Sequence, residues 1–293
     1  MLICCLALTA CKKVEATTEE IGDVTLYRNH SYGRADRQIF DLCLPTEARG
    51  EIGLILLIHG GGWAAGDKEV YEAELRSWAE RGYAVAALNY RYADKRVRVD
   101  EQLDDIKSCM SAIRSLGENH GVSIDRAILS GGSAGAHLSL MYAYKMKSVS
   151  PIEPVAVISY AGPTDLADMR FFEESEIRDS IDIMISKISG ANIKNGEFAD
   201  YIDKLNYASP TIYVSEDSVP TVICHGKLDN IVPYSNALTL DAMLTKYGVE
   251  HELIIYENSG HGLEADPECA ERALELFTQY AERYLKKYSK EVG

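Results

Sequence analysis

Short unbroken runs of apolar residues recur along the chain, and segments with a helical pattern of apolar positions separate them. The first run, Ile52–Ile58, has the length and the β-branched content of a strand that is buried on both faces. Comparable runs follow at Tyr83–Leu88, Arg126–Ser130, Val155–Ser159, Thr221–Cys224 and Glu252–Tyr256. Because such strands alternate with helices, the pattern predicts an α/β fold in which helices cover both faces of a mostly parallel sheet.

The clearest helix is predicted over Asp100–Leu116. Its apolar residues repeat at intervals of three and four and form one stripe: Leu103, Ile106, Met110 and Ile113. Such a stripe predicts a helix that packs one face on the sheet. Two shorter extended segments, Val24–Tyr27 and Gln38–Leu44, precede the first buried run and predict an antiparallel edge.

One long segment, between Tyr160 and Val219, breaks this alternation. It contains a helical pattern around Ile177–Ile188 and a loop at Ser189–Gly196. Connections of this length usually carry function or structure of their own. We therefore predict a small helical insertion, at about residues 164–207, over the carboxyl end of the sheet.

The composition is that of one globular domain. The chain has 293 residues, of which 46% are hydrophobic, and it shows neither an internal repeat nor a low-complexity linker. We therefore predict a single domain over residues 23–293. The formal net charge of −15 is scattered along the chain, which indicates a solvated surface and makes nucleic acid an unfavourable partner. The oligomeric state stays open.

The first eleven residues, MLICCLALTAC, form an apolar stretch that is too short to span a bilayer. The run Leu8–Cys11 resembles the lipobox of bacterial lipoproteins, although the basic residue that usually precedes the apolar stretch is missing. The resemblance implies a lipoprotein signal over residues 1–11, a lipidated Cys11 and a linker over residues 12–22. The protein would then be exported to the bacterial cell envelope and would contact the membrane only through its lipid. The alternative is an ordinary apolar N-terminus.

None of the seven cysteines has the spacing of zinc ligands, and we predict neither a metal nor an organic cofactor. Cys109 and Cys224 lie inside apolar runs, which predicts buried free thiols.

The strongest chemical signal is Gly131-Gly132-Ser133-Ala134-Gly135. It directly follows the predicted strand Arg126–Ser130 and precedes a helical stretch, His137–Lys147. A sharp strand-to-helix turn needs small residues around a serine whose hydroxyl must stand clear, and the helix N-terminus favours a developing anion. The motif therefore predicts a nucleophile elbow with Ser133 as the nucleophile.

A second glycine motif, His59-Gly60-Gly61-Gly62-Trp63, follows the first buried strand. Consecutive glycines let the backbone approach a bound carbonyl and direct N–H groups at its oxygen, as an oxyanion hole requires. A plain turn and a phosphate-binding loop are the alternatives. The phosphate-binding alternative lacks the Lys-Ser or Lys-Thr that would follow such a loop.

At these motifs the chain resembles the HGGG-type esterases of the α/β-hydrolase fold, close to the hormone-sensitive-lipase-like enzymes. The likeness runs from about Asp23 to the C-terminal helix and includes four further stretches: Asn89-Tyr90-Arg91-Tyr92, Gln102-Leu103-Asp104-Asp105, Gly162-Pro163-Thr164-Asp165-Leu166 and Ala208-Ser209-Pro210. The resemblance implies that the N–H groups of Gly61, Gly62 and Ala134 stabilise the oxyanion.

Two loops complete a catalytic triad in the order Ser, acid, His that this fold uses. Asp229 follows the run Thr221–Cys224, and His261 follows the run Glu252–Tyr256. A serine needs a base in hydrogen-bond reach, and the base needs an acid that fixes its tautomer. We therefore predict that His261 is the general base and that Asp229 orients it.

Other residues compete for these roles. His225 ends a buried strand and is interpreted as structural, as are His137, one helical turn after Ser133, and His59, which we expect to order the glycine loop. Asp217 and Asp266 replace Asp229 as candidates only if the strand boundaries are wrong by several residues.

These residues predict a serine ester hydrolase that works through an acyl-enzyme on Ser133. Short-chain or compact aromatic esters are the expected substrates, including acetyl and feruloyl esters of carbohydrates. We expect no long N-terminal helical cap of the kind that many related enzymes have, and we therefore assign specificity to Trp63 and the insertion, in an open cleft with few apolar walls. An amidase, arylformamidase or exopeptidase with the same triad is the first alternative, and a non-catalytic binding protein on a hydrolase scaffold is the second.

Overall fold

A mixed β-sheet forms the centre of the molecule, which is described here by a computed structural model for residues 15–173, 178–193 and 201–289. The strands are β1 (Thr17–Ile21), β2 (Val24–Ser31), β3 (Ile39–Pro45), β4 (Gly50–Glu51), β5 (Leu54–Ile58), β6 (Ala84–Asn89), β7 (Val122–Ser123), β8 (Arg126–Gly132), β9 (Glu153–Tyr160), β10 (Thr221–Gly226) and β11 (His251–Tyr256). The helices are α1 (Glu72–Glu80), α2 (Val99–Asn119), α3 (Ala134–Lys145), α4 (Arg170–Glu173), α5 (Arg178–Ser189), α6 (Ile202–Tyr207), α7 (Ser235–Tyr247) and α8 (Pro267–Tyr284).

The main sheet has the order β1-β2-β3-β6-β5-β8-β9-β10-β11, and β4 pairs separately with β7. The six strands β6, β5, β8, β9, β10 and β11 run parallel to one another, while β1, β2 and β3 form an antiparallel edge in which β3 pairs antiparallel with β6. The predicted parallel sheet with an antiparallel edge is confirmed. Because parallel strands share one carboxyl edge, the loops after β5, β8, β10 and β11 meet there.

The strand β5 shows why the sheet is covered on both sides. All five of its residues are buried, and their side chains alternate between the two faces of the sheet. Leu54, Leu56 and Ile58 join a cluster with residues of α2 and α3, whereas Ile55 and Leu57 join a cluster with residues of α1 and α8.

The predicted linker over residues 12–22 is wrong for its described part. Thr17–Ile21 forms β1, which pairs antiparallel with β2 over its whole length. Its sequence, TTEEI, has almost no apolar side chain to mark a strand, and four of its five residues are exposed. Backbone pairing with β2 therefore orders this edge strand without a hydrophobic pattern.

The predicted insertion folds as α4, α5 and α6 between β9 and β10. Residues 194–196 of the loop predicted at Ser189–Gly196 lie outside the described residues. Cys109 and Cys224 are buried free thiols, as predicted. Within the described ranges, no helix is both long and apolar enough to cross a membrane.

Candidate active site

Ser133 lies in the sharp turn between β8 and α3. Its backbone adopts φ 54° and ψ −122°, a conformation that L-residues rarely adopt outside functional turns. Its N–H donates to the Tyr160 carbonyl over 2.8 Å, which ties the turn to the neighbouring strand β9. A Cβ at Gly131 or at Gly135 would collide with the Ile58 carbonyl, so the small residues of the motif let α3 pack directly on the sheet.

The loop after β5 lies against this turn. A Cβ at Gly60 would come within 2.8 Å of the Gly132 carbonyl and 3.5 Å of the Ser133 Cβ. Gly61 and Gly62 have φ values of +104° and +55°, the left-handed region that favours glycine. In the part of the chain that the structure describes, the N–H groups of Gly61, Gly62 and Ala134 donate to no protein acceptor. These groups are therefore available to a bound oxygen.

His59 is held inside this glycine loop. Its ring stacks on Tyr90 with centroids 4.3 Å apart, and its Nε2 accepts from the Arg37 guanidinium over 3.2 Å. Because Nε2 accepts, Nδ1 carries the proton and donates to the Gly60 carbonyl over 2.8 Å. Burial lowers the pKa of His59 to about 4. His59 is thus neutral near pH 7 and has no nitrogen free to act as a base.

Arg37 clamps the same loop from the antiparallel edge of the sheet. Besides His59, its guanidinium donates to the carbonyls of Tyr90 and Gly66, each over 3.0 Å, and it stacks on Tyr92 at 3.9 Å from the ring centroid. The contacts of Arg37 were not predicted from the sequence. The segment before β3 carries no local signal of a contact with a loop twenty residues further on.

Asp229 and His261 meet at the carboxyl ends of β10 and β11. His261 Nδ1 donates to Asp229 Oδ2 over 2.8 Å, and Asp229 Oδ1 accepts from the N–H groups of Ile231 and Val232, each over 2.9 Å. The side chain of Asp229 is fully buried, whereas that of His261 is 21% exposed. This arrangement fixes the Nδ1–H tautomer and leaves His261 Nε2 free to accept a proton.

The ionisation of Asp229 follows from its contacts. Burial raises the pKa of this carboxyl, but hydrogen bonds from His225 and His261 outweigh burial and hold the pKa well below its usual range. His225 Nε2 lies 3.4 Å from Asp229 Oδ2 and 3.0 Å from the Val232 carbonyl. His225 is 1% exposed, so its contacts hold the acid loop in place from the inside.

The competing acids lie elsewhere. Asp217 is exposed in the turn before β10. Asp266 is buried and accepts hydrogen bonds from Asn258 and from the Ser259 hydroxyl, the latter over 2.6 Å. It therefore braces the loop that carries His261, while Asp229 makes the contact with the imidazole.

Ser133 and His261, both described, make no hydrogen bond to each other in this structure. Catalytic hydrogen bonds often tighten only when substrate is bound. What the fold brings together is the strained Ser133 turn, the free N–H groups beside it and the Asp229–His261 pair, all on the carboxyl edge of the parallel strands.

A small cavity opens directly beside Ser133. Its volume is about 30 Å3. Its walls are apolar, and they come from the two glycine motifs, the insertion and the loop after Asp229: Gly62, Trp63, Ser133, Ala134, Pro163, Phe171, Ile181, Met184, Ile185, Ile231 and Val232. The expectation of few apolar walls is wrong, because α4 and α5 fold over the site and supply them.

Trp63 forms one wall of this cavity, and its side chain is fixed by burial and by a hydrogen bond. It is 4% exposed, and its indole N–H donates to His137 Nδ1 over 3.0 Å. His137 Nε2 then donates to the Ala208 carbonyl over 2.7 Å. Burial lowers the pKa of His137 to about 4, which keeps it neutral. This chain of hydrogen bonds joins the glycine loop to the end of the insertion.

Among the described residues, no group of three or more His, Cys, Asp or Glu side chains could hold a metal ion. The groups gathered at the site are instead those that acyl transfer needs: a serine in a strained turn, a buried acid on a histidine, and unpaired N–H donors.

Known proteins are similar to this chain in sequence or in fold. LipM of Mycobacterium tuberculosis, named as a probable carboxylic ester hydrolase, is 25% identical over 220 residues, or 70% of this chain and 48% of LipM. The chain thus spans about half the length of this relative. Esterase B from Lactobacillus rhamnosis superposes with a TM-score of 0.72 at 21% identity, covering 89% of this chain and 86% of that one. A truncated carbohydrate esterase from gut microbiota superposes with a TM-score of 0.68 at 21% identity, covering 88% of this chain and 96% of that one.

The match at the level of a protein family is broader than any of these pairwise likenesses. Residues 40–244 match the BD-FAE family, and this range contains the glycine loop, Ser133, the insertion and Asp229. Because the match covers more than half of the chain, the protein belongs to the BD-FAE family. Its mostly parallel sheet covered by helices, together with the esterase structures that superpose on it, shows the α/β-hydrolase fold.

Proposed function

We propose that this protein is a serine esterase that hydrolyses carboxylic esters through an acyl-enzyme on Ser133. The observation that carries the proposal is the Ser133 turn, whose strained backbone lies against the glycine loop with its unpaired N–H groups. The esterase names of the similar proteins support it. Ester hydrolysis needs no group beyond those at this site.

The proposed reaction uses each of these groups in turn. His261 Nε2 takes the proton of the Ser133 hydroxyl as its oxygen attacks the ester carbonyl, and the imidazolium that forms is stabilised by the carboxylate of Asp229. The N–H groups of Gly61, Gly62 and Ala134 stabilise the oxyanion. His261 then gives the proton to the departing alcohol, and water repeats the path on the acyl-enzyme to release the acid.

The cavity takes the acyl side of the ester. Its walls include two of the oxyanion donors, Gly62 and Ala134, but not His261. Because the alcohol leaves with a proton from His261, the alcohol occupies the other side, toward solvent. A cavity of about 30 Å3 is far smaller than pockets for drug-sized ligands. We therefore propose acyl groups of about two to four carbons, with a fall in kcat/KM for longer ones.

Acetylated carbohydrate is the proposed natural substrate class. The histidine side of the site is open, since His261 is 21% exposed, and an open side accepts a bulky alcohol such as a sugar. The similarity to a carbohydrate esterase supports the same class. Compact aromatic acyl groups such as feruloyl would require α5 to move away from the cavity.

Replacement of Ser133 tests the proposed nucleophile. We expect Ser133→Ala to lose p-nitrophenyl acetate hydrolysis and covalent labelling by a fluorophosphonate probe, with an unchanged melting temperature. Ser139→Ala, on the same helix, is the matched control, because Ser139 is buried with its hydroxyl bonded to the Gly135 carbonyl. Full labelling of the Ser133→Ala protein would rule out this assignment.

We also propose that Cys11 is lipidated and anchors the protein at the bacterial cell envelope. Cys11 lies outside the described residues, so the lipobox-like run Leu8–Cys11 carries this proposal. Mass spectrometry of the protein from bacterial membranes would show a diacylglyceryl group on Cys11. A cytoplasmic protein that retains Met1 and has no lipid would contradict it.

A further inference from the structure

The helix α5 crosses the site directly above the glycine loop. Ile181, Met184 and Ile185 lie at intervals of three and four residues, so they share one face of α5, and all three line the cavity beside Ser133. Ile181 and Ile185 are 3% and 1% exposed and belong to the main core. They hold α5 in place. Of the three side chains, that of Met184 is only partly buried.

Met184 has a particular contact with the oxyanion loop. Its side chain lies against Gly62 so closely that a Cβ at Gly62 would collide with the Met184 Sδ. Gly62 provides one of the unpaired N–H groups beside Ser133. Met184 also lines the same cavity as Ser133 and Gly62, so an acyl chain that enters this cavity from Ser133 lies beside the Met184 side chain.

We propose that Met184 sets the upper limit on acyl length by occupying space in the cavity that a longer acyl chain would need. This inference rests on the proposed esterase function. The walls around Met184 are apolar, so space opened there would be filled favourably by methylene groups of a longer acyl chain. Methionine is unbranched and adapts its shape, which explains how this wall can yield to butyryl while it excludes longer chains.

The test compares p-nitrophenyl esters of two to ten carbons. Met184→Ala removes three side-chain heavy atoms beyond Cβ, which is room for about two methylenes, and each newly buried methylene is worth about a fourfold gain in kcat/KM. We expect the ratio of kcat/KM for the hexanoate to that for the acetate to rise about tenfold or more. Met184→Phe should have the opposite effect and lower the butyrate-to-acetate ratio.

Ile183→Ala is the matched control, because Ile183 is the neighbouring residue on α5 and is 57% exposed. It should leave the acyl profile unchanged. If Met184→Ala and Met184→Phe both keep the profile of the original protein, the inference is wrong although the esterase function stands. If the original protein hydrolyses none of the esters, the proposed function itself fails. If Met184→Ala does not fold, the effect of Met184→Phe on the butyrate-to-acetate ratio tests the inference by itself.

Discussion

Among single residues, Asp229 has the most closely defined chemistry. One carboxylate oxygen is held by two backbone N–H groups and the other by His261, while His225 braces the loop from below. The acid is thus fixed in position and ionised before any substrate binds. Preorganisation of this kind stabilises the imidazolium at no cost of rearrangement during the reaction.

Asp229→Asn tests this assignment. The amide can donate to His261 Nδ1 and so favours the tautomer with the proton on Nε2. In that tautomer Nε2 cannot accept the proton of Ser133. We expect kcat to fall by about a thousandfold to ten-thousandfold with a small change in KM. The measurement is steady-state hydrolysis of p-nitrophenyl acetate.

The two rival acids provide the controls for that variant. Asp217→Asn should leave kcat unchanged because Asp217 is exposed and remote from His261. Asp266→Asn loosens the loop that carries His261 and should lower kcat less than Asp229→Asn does. A larger loss from Asp266→Asn would mean that the acid has been assigned to the wrong loop.

At the scale of elements, the contact between α3 and β5 decides where Ser133, the proposed nucleophile, lies. Two glycines of the same motif differ in their surroundings. A Cβ at Gly135 would collide with the Ile58 carbonyl, whereas a Cβ at Gly132 would meet nothing nearer than the Tyr160 carbonyl at 4.0 Å.

Gly135→Ala should therefore push α3 away from the sheet. An extra methyl group forced against rigid backbone costs about 1–3 kcal/mol. We therefore expect the free energy of unfolding to fall by this amount or more. Urea unfolding followed by circular dichroism measures it. Gly132→Ala has space and an ordinary φ, and should lose less than about 1 kcal/mol. Equal losses in the two variants would show that helix packing is not the reason for the glycine.

Patterns of apolar residues predicted some secondary-structure elements of this protein and missed others. Strands such as β5 and β9, buried on both faces, were predicted to within two residues, because burial leaves a continuous apolar run. The strand β1 was missed since its side chains face solvent. The insertion was located by its length, but the contact of α5 with the glycine loop depends on packing between segments far apart in sequence.

At the scale of the whole molecule, two buried histidines make stability depend on pH. Burial lowers the pKa of both His59 and His137 from 6.5 to about 4 in the folded protein. Between these values the unfolded chain binds protons that the folded chain does not bind. The free energy of unfolding must then decrease as the pH falls from about 6.5 toward 4, by up to about 1.4 kcal/mol per pH unit for each histidine.

His137→Gln checks this prediction. The amide can still accept from the Trp63 indole and donate to the Ala208 carbonyl, but it does not titrate. Urea unfolding at pH values of about 7 and 5 should show a smaller loss of stability on acidification in the variant than in the original protein. An identical loss in both proteins would mean that His137 does not contribute.

The sequence by itself determined the fold class and the order of the chemical groups along it. Apolar runs of strand length and the glycine motifs are local signals, because burial and backbone geometry act on neighbouring residues. The parallel sheet then requires that the loops after successive strands meet at one edge. For this reason the sequence alone predicts Ser133, Asp229 and His261 as a triad.

The tertiary structure alone decided the contacts that join distant segments. It places Arg37 on His59, His137 between Trp63 and Ala208, and Met184 on Gly62. It also supplies apolar walls, in a small cavity beside Ser133, where the sequence predicted few. Cavity size, hydrogen-bond direction and the depression of a histidine pKa all depend on which side chains meet in space, and no local pattern of residues specifies that.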